Sequence, residues 1–271
     1  MAVATNSLTT LTSLKVYLGV TTTTDDALME SLIDRASDYI QRYCARNFVS
    51  QRYYEWHDTY GADRIALKHN PVEHVRFVGV GYDNAVSVQS TISSDISVTV
   101  GVDSDHVHLH RINSSGVETS SQTLFATYPS TNLLAAAISG VTGFSASAIL
   151  NLPTKYLRKI AGADLKQKTI YLQAPTDSLT DYMIDDARGI IYGPSLTQYR
   201  SFFVDYEGGY ATVPFDLQQA TIEMASRLLN SRKRDPSLQS ESLGGYSYSL
   251  RSVSDLDAST KMVLDSYRRL R

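Results

Sequence analysis

Much of what this chain lacks narrows its chemistry. One cysteine, Cys44, among 271 residues excludes an internal disulfide. No apolar run approaches the roughly 20 residues of a membrane-spanning helix, so no membrane partner is expected. The opening MAVATNSLTT has neither the basic nor the apolar region of a signal peptide, which points to a product of a reducing cytoplasm. Positive charge is not in excess: 25 Lys and Arg against 28 Asp and Glu give a net charge of -3, which disfavours a protein whose main task is to grip nucleic acid. The G-x-S-x-G elbow, Walker loop, H-E-x-x-H, C-x-x-C and G-x-G-x-x-G signatures are missing, so no enzyme and no cofactor is expected. Tyrosine is plentiful, 18 against 7 phenylalanines, which suits both broad contact surfaces and β packing.

The organising stretch is FFVDYEGGYATVPFDLQQATIEMASRLLNSRKR, Phe202 to Arg234. Phe202 to Tyr206 is aromatic and β-branched, and Gly208-Gly209 gives the backbone freedom for a sharp turn, so a strand is predicted to end at Gly208. Pro214, with Asp216 and Gln219 at the spacing of a capping pair, predicts a helix start. Leu217, Ala220, Met224 and Leu228 form its apolar stripe, and Arg232, Lys233 and Arg234 place cations at its negative end, near Asp235-Pro236.

Upstream, Leu11, Leu14 and Leu18 predict a short helix that Gly19 stops in a left-handed cap. A second helix is expected from a Thr23 or Thr24 cap to about Arg46, with Asp25, Asp26 and Glu30 in its first turn and Leu28, Leu32, Ala36, Tyr39 or Ile40, and Tyr43 on its buried face. From Gln51 the period becomes two. Tyr53–Trp56, Arg64–Leu67 and Val72–Val80 read as three strands of one antiparallel sheet, with Trp56 as a sheet-face anchor. Between Tyr82 and Gly189 the composition turns to Ser, Thr and Val in short alternating runs with one helical pattern, TNLLAAAISG at Thr131–Gly140. The fold class expected is therefore α+β: a small helical core with a short antiparallel sheet (1–81 and 188–235), plus an inserted mainly β domain (82–187). Spacing leaves open whether Asp164–Asp186 completes the insertion or returns to the core. Residues 236–271 read as a polar tether, SLQSESLGGYSYSLRSVS, and a final helix capped by Ser254 or Asp255 and carrying Leu256, Val263, Tyr267 and Leu270. That helix either folds back on its own core or docks on a partner.

Three histidines, His106, His108 and His110, share one face of a strand whose other face is Val107 and Leu109, and three neutral imidazoles are a zinc-like set. Same-face neighbours stand about 7 Å apart, long for one ion, so the three are read as an exposed polar face and no metal is assigned. Asp181, Asp185 and Asp186 crowd together without the glycine-centred loop of a calcium site. Arg232, Lys233 and Arg234 read first as a solvated helix end, and second as contacts to DNA phosphates if many copies surround a duplex.

LTTLTSLKVYLGVTTTTDDALMESLIDRASDYIQRYCARNF, IALKHNPVEHVRFVGV and FVDYEGGYATVPFDLQQATIEMASRLL together resemble the head-tail connector, or portal adaptor, proteins of tailed bacteriophages. The resemblance covers about residues 7–81 and 188–271; its most specific parts are the helix ending at Gly19 before the acid-capped helix, and Tyr206-Glu207-Gly208-Gly209-Tyr210 followed by Pro214. It implies a structural virion protein of the neck, made in the host cytoplasm and assembled as a homo-oligomeric, dodecameric ring below the portal protein. It further implies that double-stranded DNA passes through the ring without sequence recognition, that a downstream neck, stopper or tail protein attaches to it, and that the C-terminal segment reaches the portal through Leu256, Val263, Tyr267 and Leu270. The inserted domain is not part of the family pattern. A different class remains open: a virion-surface module whose insertion binds host glycan or decorates the neck. An enzyme with a site in the insertion would rest on the histidines alone.

Overall fold

The computed structural model describes residues 3–58, 61–193, 196, 200–231, 240–243, 246–249 and 258–268. Helix α1 is Leu11–Leu18 and α2 is Asp26–Cys44; strands β1 Gln51–Asp58, β2 Arg64–Ala66 and β3 Val72–Val80 follow. The middle of the chain gives β4 Asp83–Ser90, β5 Ser97–Val102, β6 His106–Ile112, β7 Glu118–Leu124, helix α3 Thr131–Ser139, β8 Phe144–Ala148, a 3-10 turn at Thr154–Tyr156, β9 Ile160–Asp164 and β10 Thr169–Ala174. Then come β11 Asp177–Ser178, β12 Met183–Asp185, β13 Ile190–Tyr192, β14 Ser201–Gly208, helix α4 Phe215–Ser231, the hairpin β15 Ser240–Leu243 and β16 Tyr246–Ser249, and helix α5 Ala258–Tyr267. The fold is α+β, with several small antiparallel sheets.

The strand before the glycine corner is the centre of its sheet, which runs β1-β14-β3-β11. Seven of the eight residues of β14 are buried, the pattern of a strand covered on both faces. That burial corrects the expected three-strand sheet. β1 and β3 do not pair with each other; both pair with β14, while β2 joins β13 and β12 in a separate sheet. Local spacing could not reveal this, because the partner strand lies more than a hundred residues further on.

Residues Ala85 to Ala174 close around a hydrophobic cluster of their own, with Val86, Val88, Val100, Val107, Leu134, Ile138 and Leu172 at its centre. It is covered by the sheets β7-β6-β5-β9 and β10-β4-β8 and by α3, which Ser130 caps by accepting the Leu133 N–H. The stretch that spacing left open divides. β10 pairs with β4, whereas β11 pairs with β3 and β12 with β13, so 177–185 hydrogen-bond to strands outside the 85–174 cluster.

The helices bury two further clusters, one around Ile40, Cys44, Phe48, Leu217 and Leu264, the other around Leu14, Met29, Ile33, Ala36, Ile222 and Ala225. Thr10 caps α1 by accepting the Ser13 N–H, and Gly19 at φ 66° ends it in the expected left-handed conformation. Helix α2 buries Ala36 and Ile40 as expected, but elsewhere its buried face is rotated by one position, to Met29, Ile33 and Cys44, with Leu28, Leu32 and Tyr43 at the margins and Tyr39 exposed. Its N-cap is Asp25, not a threonine, and Ala45 ends it at φ 55°. Ser37 and Gln41 explain the shift. They are buried polar residues whose side chains accept the Leu8 N–H and donate to the Asn6 carbonyl, so the leader holds a helix face that polarity alone would place in water.

In α4 the expected stripe is wider, because α1, α2 and α5 all pack on this helix: Leu217, Ala220, Thr221, Ile222, Ala225 and Ser226 are buried, with Met224 and Leu228 half-buried. The expected Asp216–Gln219 capping pair does not form. Asp216 accepts its neighbour's N–H and the Tyr267 hydroxyl, and Gln219 donates to Glu223.

Candidate functional surfaces

The glycine corner fixes how the sheet meets the helices. Gly209 has φ 114°, and a Cβ there would stand 2.7 Å from the Val49 carbonyl carbon and 2.8 Å from the Ser50 nitrogen. Across this contact the Tyr210 N–H donates to the Phe48 carbonyl and the Ser50 N–H to the Tyr210 carbonyl, at 2.7 and 3.1 Å. The segment after α2 is thereby clipped to the segment before α4, and only glycine permits the approach.

The two faces of the central sheet carry different chemistry. On one, Tyr54, Trp56, Phe77 and Phe203 form an aromatic floor, and the fully buried Asp205 accepts two hydrogen bonds from Arg52, at 2.7 and 2.6 Å. This fork raises the pKa of Arg52 further. Tyr156, on the 3-10 turn, covers the floor: its ring lies 4.7 Å from Phe203 and 5.2 Å from Phe77, and its hydroxyl donates to Asp205 at 3.1 Å. Burial first, then the Asp205 charge, pushes that hydroxyl up to about 12. Arg158 adds cation–π contacts to Trp56 and Tyr82. Trp56 is thus a sheet-face anchor, as its position suggests. The joint between the 85–174 cluster and the central sheet is aromatic and charge-paired, and sequence spacing gave no sign of Tyr156 or Arg158.

On the opposite face Glu55 is buried. Its carboxylate accepts the Tyr206 hydroxyl at 2.9 Å and the Lys68 N–H at 3.3 Å, and His57 Nε2 lies 3.0 Å away. Burial pushes Glu55 up, but His57, the Tyr206 hydroxyl and Lys68 outweigh it and leave the carboxyl below its ordinary value. Burial and the Glu55 charge together push Tyr206 far up, so its hydroxyl stays a donor.

Helix α5 folds back on the helices. Leu264 is fully buried and Thr260 nearly so; the Tyr43 hydroxyl donates to Asp265 at 2.6 Å and the Tyr267 hydroxyl to Asp216 at 2.9 Å. Tyr267 also meets Phe48 edge to face at 5.8 Å. Val263 and Tyr267 are half-buried and Met262 is 70% exposed, while Leu256, Leu270 and the proposed caps Ser254 and Asp255 lie outside the described residues, as do Arg232, Lys233 and Arg234. Leu264, the centre of the contact, falls between the positions that spacing selects. Beneath it Cys44 donates to the Leu264 carbonyl, and burial raises this thiol to about 11, a packing group with little thiolate character.

The histidine strand adopts the expected pattern, with Val107 and Leu109 buried and the three imidazoles on the other face. The histidines then part company. His110 Nε2 lies 2.7 Å from Glu118, whereas His106 and His108 approach edge to face at 3.9 Å beside Asp103 and Asp105. Asp185 and Asp186 instead accept loop N–H groups, and among the described residues they do not gather as ligands.

These contacts pin the helices and the aromatic sheet to each other and to the β-rich middle of the chain. Residues 8–111 match the family described as phage gp6-like head-tail connector protein. The match takes in α1, α2 and the first strands, and runs on to β6 inside the expected insertion. Among solved structures, one described as "Neck of empty GTA particle computed with C6 symmetry" is 12% identical, with a TM-score of 0.45, covering 100% of this chain and 94% of that one. No curated protein matches.

Proposed function

We propose that the chain is a portal adaptor of a tailed phage: copies close into a ring, with twelve as the expected number, under the portal protein, and double-stranded DNA passes through without sequence recognition. The observation that carries this reading is the connector-family match over residues 8–111. The role is structural, without catalysis, and its place is the virion neck after synthesis in the host cytoplasm. Residues 1–81 and 188–235 act as the adaptor core, 82–187 as an inserted module and 236–271 as the portal-reaching segment. A ring needs two unlike faces on each copy. Val16 and Phe215 are 78% and 84% exposed, apolar side chains at the helical end that suit such contacts. The portal contact is assigned to the C-terminal segment through Leu256, Val263, Tyr267 and Leu270, with the 70%-exposed Met262 of α5 beside them in sequence, and a downstream neck, stopper or tail protein takes the opposite end. Arg232, Lys233 and Arg234 are the positions assigned to passing DNA. Particles assembled without this chain are expected to give filled heads and free tails; joined, infectious particles would contradict the proposal.

A second reading, a surface module that binds host glycan or decorates the neck, draws on the separate hydrophobic cluster of 85–174. Asp83 and Ala174 are paired neighbours, so the stretch between them can be replaced by a short linker. Joined particles that no longer adsorb would favour the surface module, and unjoined heads would make the insertion part of the connector.

A further inference from the structure

We propose that Asp103, His106 and His108 form a binding site for one divalent transition-metal ion of the zinc type. The site sits on the β5–β6 turn, where Val102 pairs with Val107 and the Asp103 N–H donates to the His106 carbonyl at 3.0 Å. This turn brings Asp103 over the face that His106 and His108 share on β6. Their ligand atoms all lie within 4.8 Å of one another. Asp103 Oδ2 is 2.5 Å from His108 Nε2 and 3.8 Å from His106 Nε2, and an ion entering between Asp103 and His108 would replace the proton they share, which leaves to solvent. A tetrahedral ion with bonds of about 2.0–2.1 Å holds its ligands roughly 3.3 Å apart, so side-chain shifts of about an ångström would complete the set. The objection from strand spacing falls away, because the His106 and His108 rings lean together to 3.9 Å and the third ligand comes from the turn and not from His110.

The second observation is the setting of His106. Its Nδ1 lies 2.6 Å from Asp105 Oδ1, which as a carboxylate accepts from it and leaves Nε2 as the ring atom turned toward the site. That Nε2 is buried and has no hydrogen-bond partner among the described residues, and the side chain is only 14% exposed. A buried polar atom without a partner is costly, and coordination to a cation satisfies it. Asp105 then stands as the outer carboxylate that orients a ligating imidazole. Two imidazoles and one carboxylate select a borderline ion; calcium and magnesium ask for six or more oxygens, or for water-rich octahedra.

The test uses the full chain without a histidine tag, stripped with chelator, titrated with Zn2+ by calorimetry and with Co2+ by absorption. One ion per chain is expected, with a tetrahedral cobalt spectrum and no displacement by millimolar Mg2+ or Ca2+. His106→Ala and Asp103→Asn should each abolish this binding. Asp105→Asn, which keeps the turn's volume and its far-UV spectrum, should weaken it by about tenfold or more. His110→Ala should bind like the parent. Absence of saturable binding, or equal loss from His110→Ala and Asp105→Asn, would overturn the site.

Discussion

Glu55 shows how single residues set the stability of the central sheet. Its folded pKa lies below the ordinary value near 4.5, so its contribution is fully present above that pH and is lost as pH falls through the lower folded value. Acid titration of thermal stability should show a fall beginning below about pH 4.5, and Glu55→Gln should be less stable at neutral pH with a shallower acid limb. An unchanged limb in the variant would place the acid sensitivity elsewhere. Gly209 is the other residue on which the sheet depends. Gly209→Ala would put a methyl against the backbone of Val49 and Ser50 at positive φ, and chemical denaturation should show a loss of at least about 2 kcal/mol.

At the scale of elements, α5 is held by one buried leucine and a fringe of tyrosine hydroxyls. Leu264→Ala should cost about 2–5 kcal/mol of docking, read as faster amide exchange in α5 and in the facing part of α2, with the central sheet unchanged. Elements of this kind were legible in part. The strand, the glycine corner and α4 follow from Phe202–Ser231, the short helix and its Gly19 cap from residues 8–19, and α3 from Thr131–Gly140, because each signal is local. The pairing of β1 and β3 through β14 was not legible, since it spans more than a hundred residues. On α2 the spacing finds Ala36 and Ile40 but places the ends of the face one position early, because Ser37 and Gln41 are buried through bonds to the leader, and polarity gives no hint of that. Tyr156 and Leu264 were missed for a related reason: one sits in an irregular turn, and the other between the positions that spacing favours. The histidine alternation was legible, but the turn that brings Asp103 to His106 and His108 was not.

At the scale of the molecule, the helices, the central sheet and the 85–174 cluster are joined by specific contacts: the corner at Gly209, the Asp205–Arg52–Tyr156 group, and the packing of α5 on Cys44 and Phe48. The proposed connector role would need such joints, since each copy of a ring under load must transmit force between neighbours without opening. The net charge of -3 is compatible with a channel that lets a duplex slide, because strong phosphate binding would retain it. The proposed assembly on the portal is tested by native mass spectrometry of the full chain, alone and mixed with a portal protein encoded beside it. A complex of twelve copies is expected to form with the portal and to be lost when the chain is cut at Asp235. A monomer of the same mass with or without the portal would contradict it.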